Sequence, residues 1–188
     1  MSESASALSQ QLLIALPNLD DPNFSRSVVM VCQHDADGAM GIVVNRASEF
    51  TVGELFDQLD IEGGDPALRA LPVVAGGPVH AERGFVLHNG DRVWDSSIRL
   101  PGGLSLTTSR DVLRALAEGN GPEQALVALG CAGWGAGQLE QEISENSWMT
   151  APADAELLFR QPLDQRWQAA AGLVGVNLAH MTHYSGRA

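Results

Sequence analysis

Two glycine-rich segments are the residues most readily read as chemistry. Gly76-Gly77-Pro78, with Arg83 five residues beyond, offers backbone N–H groups for an anion and a guanidinium to complete the charge. The competing use of the same glycines is a tight turn at positive φ. Gly133-Trp134-Gly135-Ala136-Gly137-Gln138 lies between an apolar run and a helix start, the place of a dinucleotide loop. The third glycine of that loop is missing on either count, because positions 138 and 140 hold Gln138 and Glu140. Acids at Glu140 and Glu142 would also repel a pyrophosphate at the helix start. A tight strand-to-helix turn around a packed Trp134 is the better reading.

Other constellations are thinner. Asp35-Ala36-Asp37-Gly38 opens like a Ca²⁺ loop but lacks a third ligand and the distal Glu, so it reads as a solvated hairpin turn. His80 and His88 are eight apart, His180 and His183 three apart, and no Cys stands near either pair, which leaves zinc unsupported. Cys32 and Cys131 have apolar or Gly-rich flanks and form no C-x-x-C pair, as expected of buried reduced thiols. No G-x-S-x-G elbow is present. No catalytic residue, metal or cofactor is therefore expected. Arg26, Asn45, Arg83, Gln138, Glu140 and Asn146 remain as polar residues set in otherwise apolar or Gly-rich blocks. They either converge on a pocket or anchor irregular backbone from within.

Composition narrows the chemistry further. The 188 residues include 23 acids against 11 basic side chains, a formal charge of −12, and every basic residue is Arg. Without Lys there is no Schiff base, no P-loop lysine and no lysine general base. The net charge opposes direct binding to a phosphate backbone. The one segment shaped like a reader helix, 138–145, carries Glu140, Glu142 and Glu145 and no Arg. The N-terminus has no basic segment, and its apolar run at 12–16 is too short for a signal peptide or membrane span, so a cytoplasmic protein is expected. With 45% hydrophobic residues a full core is within reach. The expected organisation is a frayed tail at 1–10 and one domain over 11–188.

The elements that must position these residues follow from patterning. Apolar runs at 12–16, 27–32 and 40–44 predict strands, the last two joined as a hairpin through 33–38. Thr51 with Glu54 forms a capping box for a helix ending near Asp60. Strands are expected at 72–75 and 84–88, with Asn89-Gly90 turning the second into 91–94 as a two-residue hairpin. Further short strands fall at 96–99 and 104–107. Ser109 is expected to cap a helix over 110–118 with Gly119 as its stop, and Pro122 to open a short helical segment. The continuous apolar run 125–131 predicts a strand buried on both faces. A helix start at 138–143, a strand at 147–151 and a helix at 164–173 complete the chain, the last with Trp167, Ala170, Ala171 and Val174 inward. Hairpins without sustained βαβ alternation indicate α+β with a mixed, mostly antiparallel sheet, partly barrelled.

The same blocks resemble the bacterial AlgH/YqgE family. The likeness runs through Leu13-Ile14-Ala15-Leu16-Pro17, Asp21-Pro22, Arg26-Ser27 and Gly41-Ile42-Val43-Val44-Asn45-Arg46. It continues at Gly76-Gly77-Pro78-Val79, Arg83-Gly84-Phe85, the block from Ala128 to Glu140, Asn146-x-Trp148 and Arg166-Trp167. Cys131 departs from the family's usual Tyr, and Ser185-Gly186-Arg187-Ala188 from its usual Ala-Gly-His-Ala. The resemblance implies a bifurcated β-sheet with a small barrel-like part, flanked by helices. For function it implies only an uncharacterised protein or a regulator of transcription. Taken with the charge, the preferred expectation is a non-catalytic protein that binds a protein or small molecule, with ligand contacts drawn from the six polar residues above plus Gly76, Gly77, Pro78 and Trp134. The alternatives are an indirect regulator of transcription, and an enzyme built on the segments 76–78 and 133–140.

Overall fold

The structure, a computed structural model, describes residues 8–178 other than 10 and 101. All but two residues of the expected N-terminal tail, together with His180, His183 and the last four positions, lie outside the described residues.

Strand periodicity explains why the apolar runs are continuous. In β1 (Gln11–Ala15), Leu12 and Ile14 join one core while Leu13 and Ala15 join another on the opposite face. In β2 (Val28–Asp35), Val28, Met30 and Cys32 face the first core, Val29 and Val31 the second. Successive side chains of a strand point to opposite faces, so a sheet covered on both sides demands uninterrupted apolar sequence. Between β2 and β3 (Gly38–Val43) the expected antiparallel hairpin forms, with a bulge between Val31 and Gln33.

Among the described residues ten strands make one branched sheet, and β9 (Ala125–Gly135) is the branch point. Its first half lies between β6 (Val79–Asn89), antiparallel, and β5 (Pro72–Ala75), parallel. Its second half pairs with β3. Gly130 stands where the partner changes, at φ 80, a conformation glycine adopts without penalty. One branch continues from β3 through β2 and β1 to β10 (Trp148–Pro152). The other runs from β6 through β8 (Leu104–Thr107) to β7 (Ser97–Leu100), while β4 (Ala47–Thr51) pairs with β5. The sheet curls into a half-barrel, so the expected α+β class with a bifurcated sheet is found.

Helices close the faces. The capping box at Thr51 and Glu54 opens α1 (Val52–Gln58), whose Phe56 is fully buried against β5, β6 and β9. Gly119 at φ 82 ends α3 (Asp111–Glu118). Outside the first branch, α4 (Gln138–Ser144) buries Leu139. The C-terminal α6 (Arg166–Leu173) buries Ala170 and Ala171, preceded by a 3-10 turn at Leu163–Gln165. Two further short helices, α2 (Pro66–Ala70) and α5 (Ala155–Phe159), start at Asp65 and Asp154, whose carboxylates accept from backbone N–H groups of the first turn.

Several expectations are corrected. Asn89-Gly90 does not make a hairpin, because both edges of β6 there are taken, by β8 and by β9. Asn89 instead exchanges side-chain hydrogen bonds with Gln124, and the chain swings on to bury Trp94. Pro122 opens no helix; residues 121–124 form a bend. The Gly-rich segment after Cys131 is not yet a turn, since β9 runs on to Gly135 and only Ala136-Gly137 turn into α4. Ser109 precedes the cap at Arg110 and donates to Asp111 Oδ1 at 2.5 Å. Val174 lies past the end of α6 and is 39% exposed.

Candidate functional site

The ten residues singled out above sit in four places. Arg26 and Asn45 meet: Arg26 holds φ 58, and Asn45 Nδ2 donates to its carbonyl at 2.9 Å while Oδ1 accepts from Val28 N–H at 2.9 Å. A non-glycine residue in the left-handed region persists where its surroundings hold it there. Arg46 adds to this grip by donating to the carbonyls of Pro22, Asn23 and Ser25. Gly76-Gly77-Pro78 lies against β9, where Gly76 donates to Leu129 O and accepts from Val43 N–H, both at 2.8 Å. A Cβ on Gly77 would collide with the Cys131 carbonyl and stand 2.6 Å from the Ala132 nitrogen. These glycines therefore let two backbones touch. Arg83 lies at the irregular stretch of β6, its guanidinium 5.7 Å from the Phe85 ring centroid.

The third place gathers Trp134, Gln138 and Glu140 around α4. Glu142 Oε1 accepts the indole N–H of Trp134 at 3.1 Å and of Trp148 at 3.0 Å, and Oε2 accepts from Gln138 Nε2 at 2.9 Å. Phe24 packs on both indoles, at 5.9 and 5.8 Å between centroids. Glu140 pairs with His34 across to β2. Asn146, the fourth, turns the chain at φ 61 between α4 and β10.

The remaining titratable groups of the core are closed off. Burial pushes the Cys32 thiol up to about 12 and raises that of Cys131 against the opposing pull of Arg83. Thiols held protonated are poor nucleophiles. His88 is fully buried: Nδ1–H donates to Asn89 O at 3.0 Å, which leaves Nε2 to accept from Thr107 Oγ1 at 2.7 Å. Thr107 in turn accepts from Ser97, whose Oγ accepts from Trp94 N–H. Burial lowers the His88 pKa below 6.5, so protonation takes place first on the unfolded chain. Stability from His88 is full above pH 6.5 and declines as pH falls below it toward the folded value. His88→Gln is expected to show a shallower loss of stability from pH 7 to 5 than the parent; equal slopes by urea denaturation would refute the assignment.

A ligand-sized feature emerges where no local motif pointed. A cleft of about 250 Å³ opens between β5, β9 and the segment from α5 to α6. Val74, Leu126 and Val127 line it from the sheet, Phe159 and Leu163 from the opposite side. Leu71, 49% exposed, also contributes to its wall. Only Arg160, Gln161 and Arg166 are polar, and no acid lines it. None of the ten sequence candidates does so either.

Arg166 is 5% exposed. Its Nε donates to Gln161 O at 2.8 Å and its Nη1 to Val44 O at 2.6 Å, a tie from α6 to the link between β3 and β4. Among the described residues it has no ion pair and Nη2 has no protein partner. Burial pushes its pKa down from 12.5 to about 10, so the guanidinium stays charged at neutral pH. Sequence reading passed over Arg166 because nothing in its local spacing marks it; a lone Arg opening an apolar helix was the available signal.

The branched sheet and the unpaired arginine in an apolar cleft define, among the described residues, an α+β protein with a cationic, ligand-sized recess and no assembled catalytic group beside it. The chain belongs to the AlgH-like family, whose model matches residues 12–179. It is 60% identical over all 188 residues to a UPF0301 protein of Xanthomonas campestris, with both chains fully covered. A UPF0301 protein of Stenotrophomonas maltophilia is 59% identical over 186 residues, 99% of each chain. The solution structure of AlgH from Pseudomonas aeruginosa superposes with a TM-score of 0.77 at 45% identity, covering 96% of each chain. A crystal structure of a Corynebacterium diphtheriae protein, 19% identical, matches in fold with a TM-score of 0.73 over 92% of this chain and 90% of that one.

Proposed function

We propose that this protein works by binding, without chemistry of its own, and that its ligand is a small, largely apolar molecule taken into the Arg166 cleft. The observation that carries this reading is the cleft's lining: apolar walls around a buried guanidinium, with no acid, in a chain of net charge −12. A cavity of about 150 Å³ already holds benzene, so about 250 Å³ admits a substituted aromatic or short aliphatic ligand. Arg166 also ties the cleft to Val44, next to the Asn45 and Arg46 contacts that grip residues 22–28. Occupancy at Arg166 thus has a physical route to the loop around Phe24, a means by which a cytoplasmic binding protein could signal to a partner.

The test is a titration with neutral fragments such as 4-phenylbutyramide, followed by methyl NMR. Shifts confined to the methyls of Val52, Leu71, Val74, Ala125, Leu126, Val127 and Leu163 are expected; saturating shifts elsewhere, or none at millimolar fragment, would overturn the reading.

Any role in transcription is indirect in this account. Arg46, Arg69 and Arg166 are engaged within the fold, and α4 presents Glu140 and Glu145. Fluorescence anisotropy with random-sequence duplex DNA at low salt is expected to give no binding. A salt-sensitive affinity in the micromolar range would contradict it.

A further inference from the structure

We infer that the cleft selects a monoanionic amphiphile, a carboxylate on an aromatic or short aliphatic body, whose carboxylate accepts from Arg166 Nη2. The inference rests on the reading of the cleft as a ligand site and names the class of ligand. Two of the three donor ends of the Arg166 guanidinium are committed to backbone carbonyls, at 2.8 and 2.6 Å, and these dipoles fix its plane without neutralising it. A cation held rigidly in apolar surroundings, with one free end and no carboxylate partner among the described residues, is complementary to a single negative charge. The rest of the lining agrees. No acid is among the residues that line the cleft, and Arg160 adds a second, exposed guanidinium that Glu156 partly offsets at the rim. Arg160 is held only by Glu156 at 3.7 Å, both side chains two-thirds exposed, a contact that a ligand carboxylate can share or replace.

The apolar walls then decide between anions. A phosphate dianion would bring two charges into a recess offering one buried cation and would lose more hydration than that cation returns. A carboxylate brings one charge, and its hydrocarbon body covers Val127, Phe159 and Leu163. Free inorganic phosphate and a phosphonate are therefore the discriminating competitors.

The experiment titrates the full chain with 4-phenylbutyrate, 4-phenylbutyramide and phenylphosphonate by methyl NMR at about pH 8.5, where the carboxylate is a monoanion, the phosphonate a dianion and the guanidinium still charged. In the parent protein the carboxylate is expected to bind at least about tenfold tighter than the amide and tighter than the phosphonate. Arg160→Gln, on the exposed rim, is expected to narrow the carboxylate-to-amide ratio by weakening the carboxylate more than the amide. Arg166→Gln is expected to remove most of the preference, leaving only the smaller share that Arg160 supplies. Because that variant also cuts the tie to Val44, Ala125→Trp, which fills the cleft from β9, serves beside it and should abolish binding of all three phenyl ligands. If the amide binds as well as the carboxylate, the anion inference fails while the cleft remains a ligand site. If the phosphonate binds more tightly, the monoanion assignment fails. If no probe binds, both readings fall together.

Discussion

Gly77→Ala is expected to cost more than about 4 kcal/mol, enough to leave little folded protein at 37 °C. The new methyl would enter the Cys131 carbonyl and the Ala132 nitrogen, backbone atoms of the central strand that have no rotamer to move away. It would also stand on a residue at φ 150, which side-chain-bearing residues rarely adopt. Relief requires separating the 76–78 segment from β9, and with it the hydrogen bonds of Gly76 to Leu129 and Val43. Gly84→Ala is the control, since a Cβ there meets nothing within 4 Å. Urea denaturation should place that variant within about 1 kcal/mol of the parent. Equal stabilities for the two variants would show that the glycine pair serves something other than close backbone approach.

The second large effect is expected at Glu142. One of its oxygens accepts two indole N–H groups, from Trp134 on β9 and Trp148 on β10, and both indoles are buried. Glu142→Ala leaves both donors without this acceptor, and an unsatisfied buried donor costs about 1–3 kcal/mol. About 3 kcal/mol in total is the expected loss, accompanied by a change in tryptophan emission because Phe24, Trp134 and Trp148 form one aromatic cluster, Phe24 stacked on Trp134 and Trp148 edge-on to both. Glu142→Gln keeps an oxygen in place and should recover most of the stability. A Glu142→Ala protein as stable as the parent would mean that these indoles find other partners.

Much of the fold is legible in the chain because its signals are local. The capping box at Thr51 and Glu54 needs only three residues of separation, and the runs at β1 and β2 report burial on both faces whatever their neighbours are. The start of α2 is equally local yet is absent from the expectations above: Asp65 followed by Pro66 is an N-cap with proline in the first turn. Asn89-Gly90 misled for a different reason. A turn signal says that the chain can reverse, not that an edge is free to pair, and both edges of β6 were occupied by strands from later in the sequence.

The cleft could not be read from the chain in the same way. Val74, Val127 and Arg166 come from three distant segments, and only the parallel pairing of β5 with β9 and the return of the C-terminal helix bring them together. Glycine and polar residues in family-like blocks drew attention because their types suggest chemistry. In the folded chain Gly76 and Gly77 mediate backbone contact, Asn45 fixes the Arg26 backbone, and Gln138 shares Glu142 with two indoles. Arg166 stands in one of those blocks, with Trp167, but its type and spacing suggested no chemistry there; its meaning lies in what surrounds it: carbonyls, hydrocarbon and no acid in the lining.

A crystal structure of the full chain grown with 4-phenylbutyrate tests the central claim most directly. The account predicts the carboxylate about 2.8–3.0 Å from Arg166 Nη2, with the phenyl ring between Val127 and Leu163. An empty cleft at saturating ligand, or a ligand seated with its carboxylate turned away from Arg166 toward solvent, would contradict it.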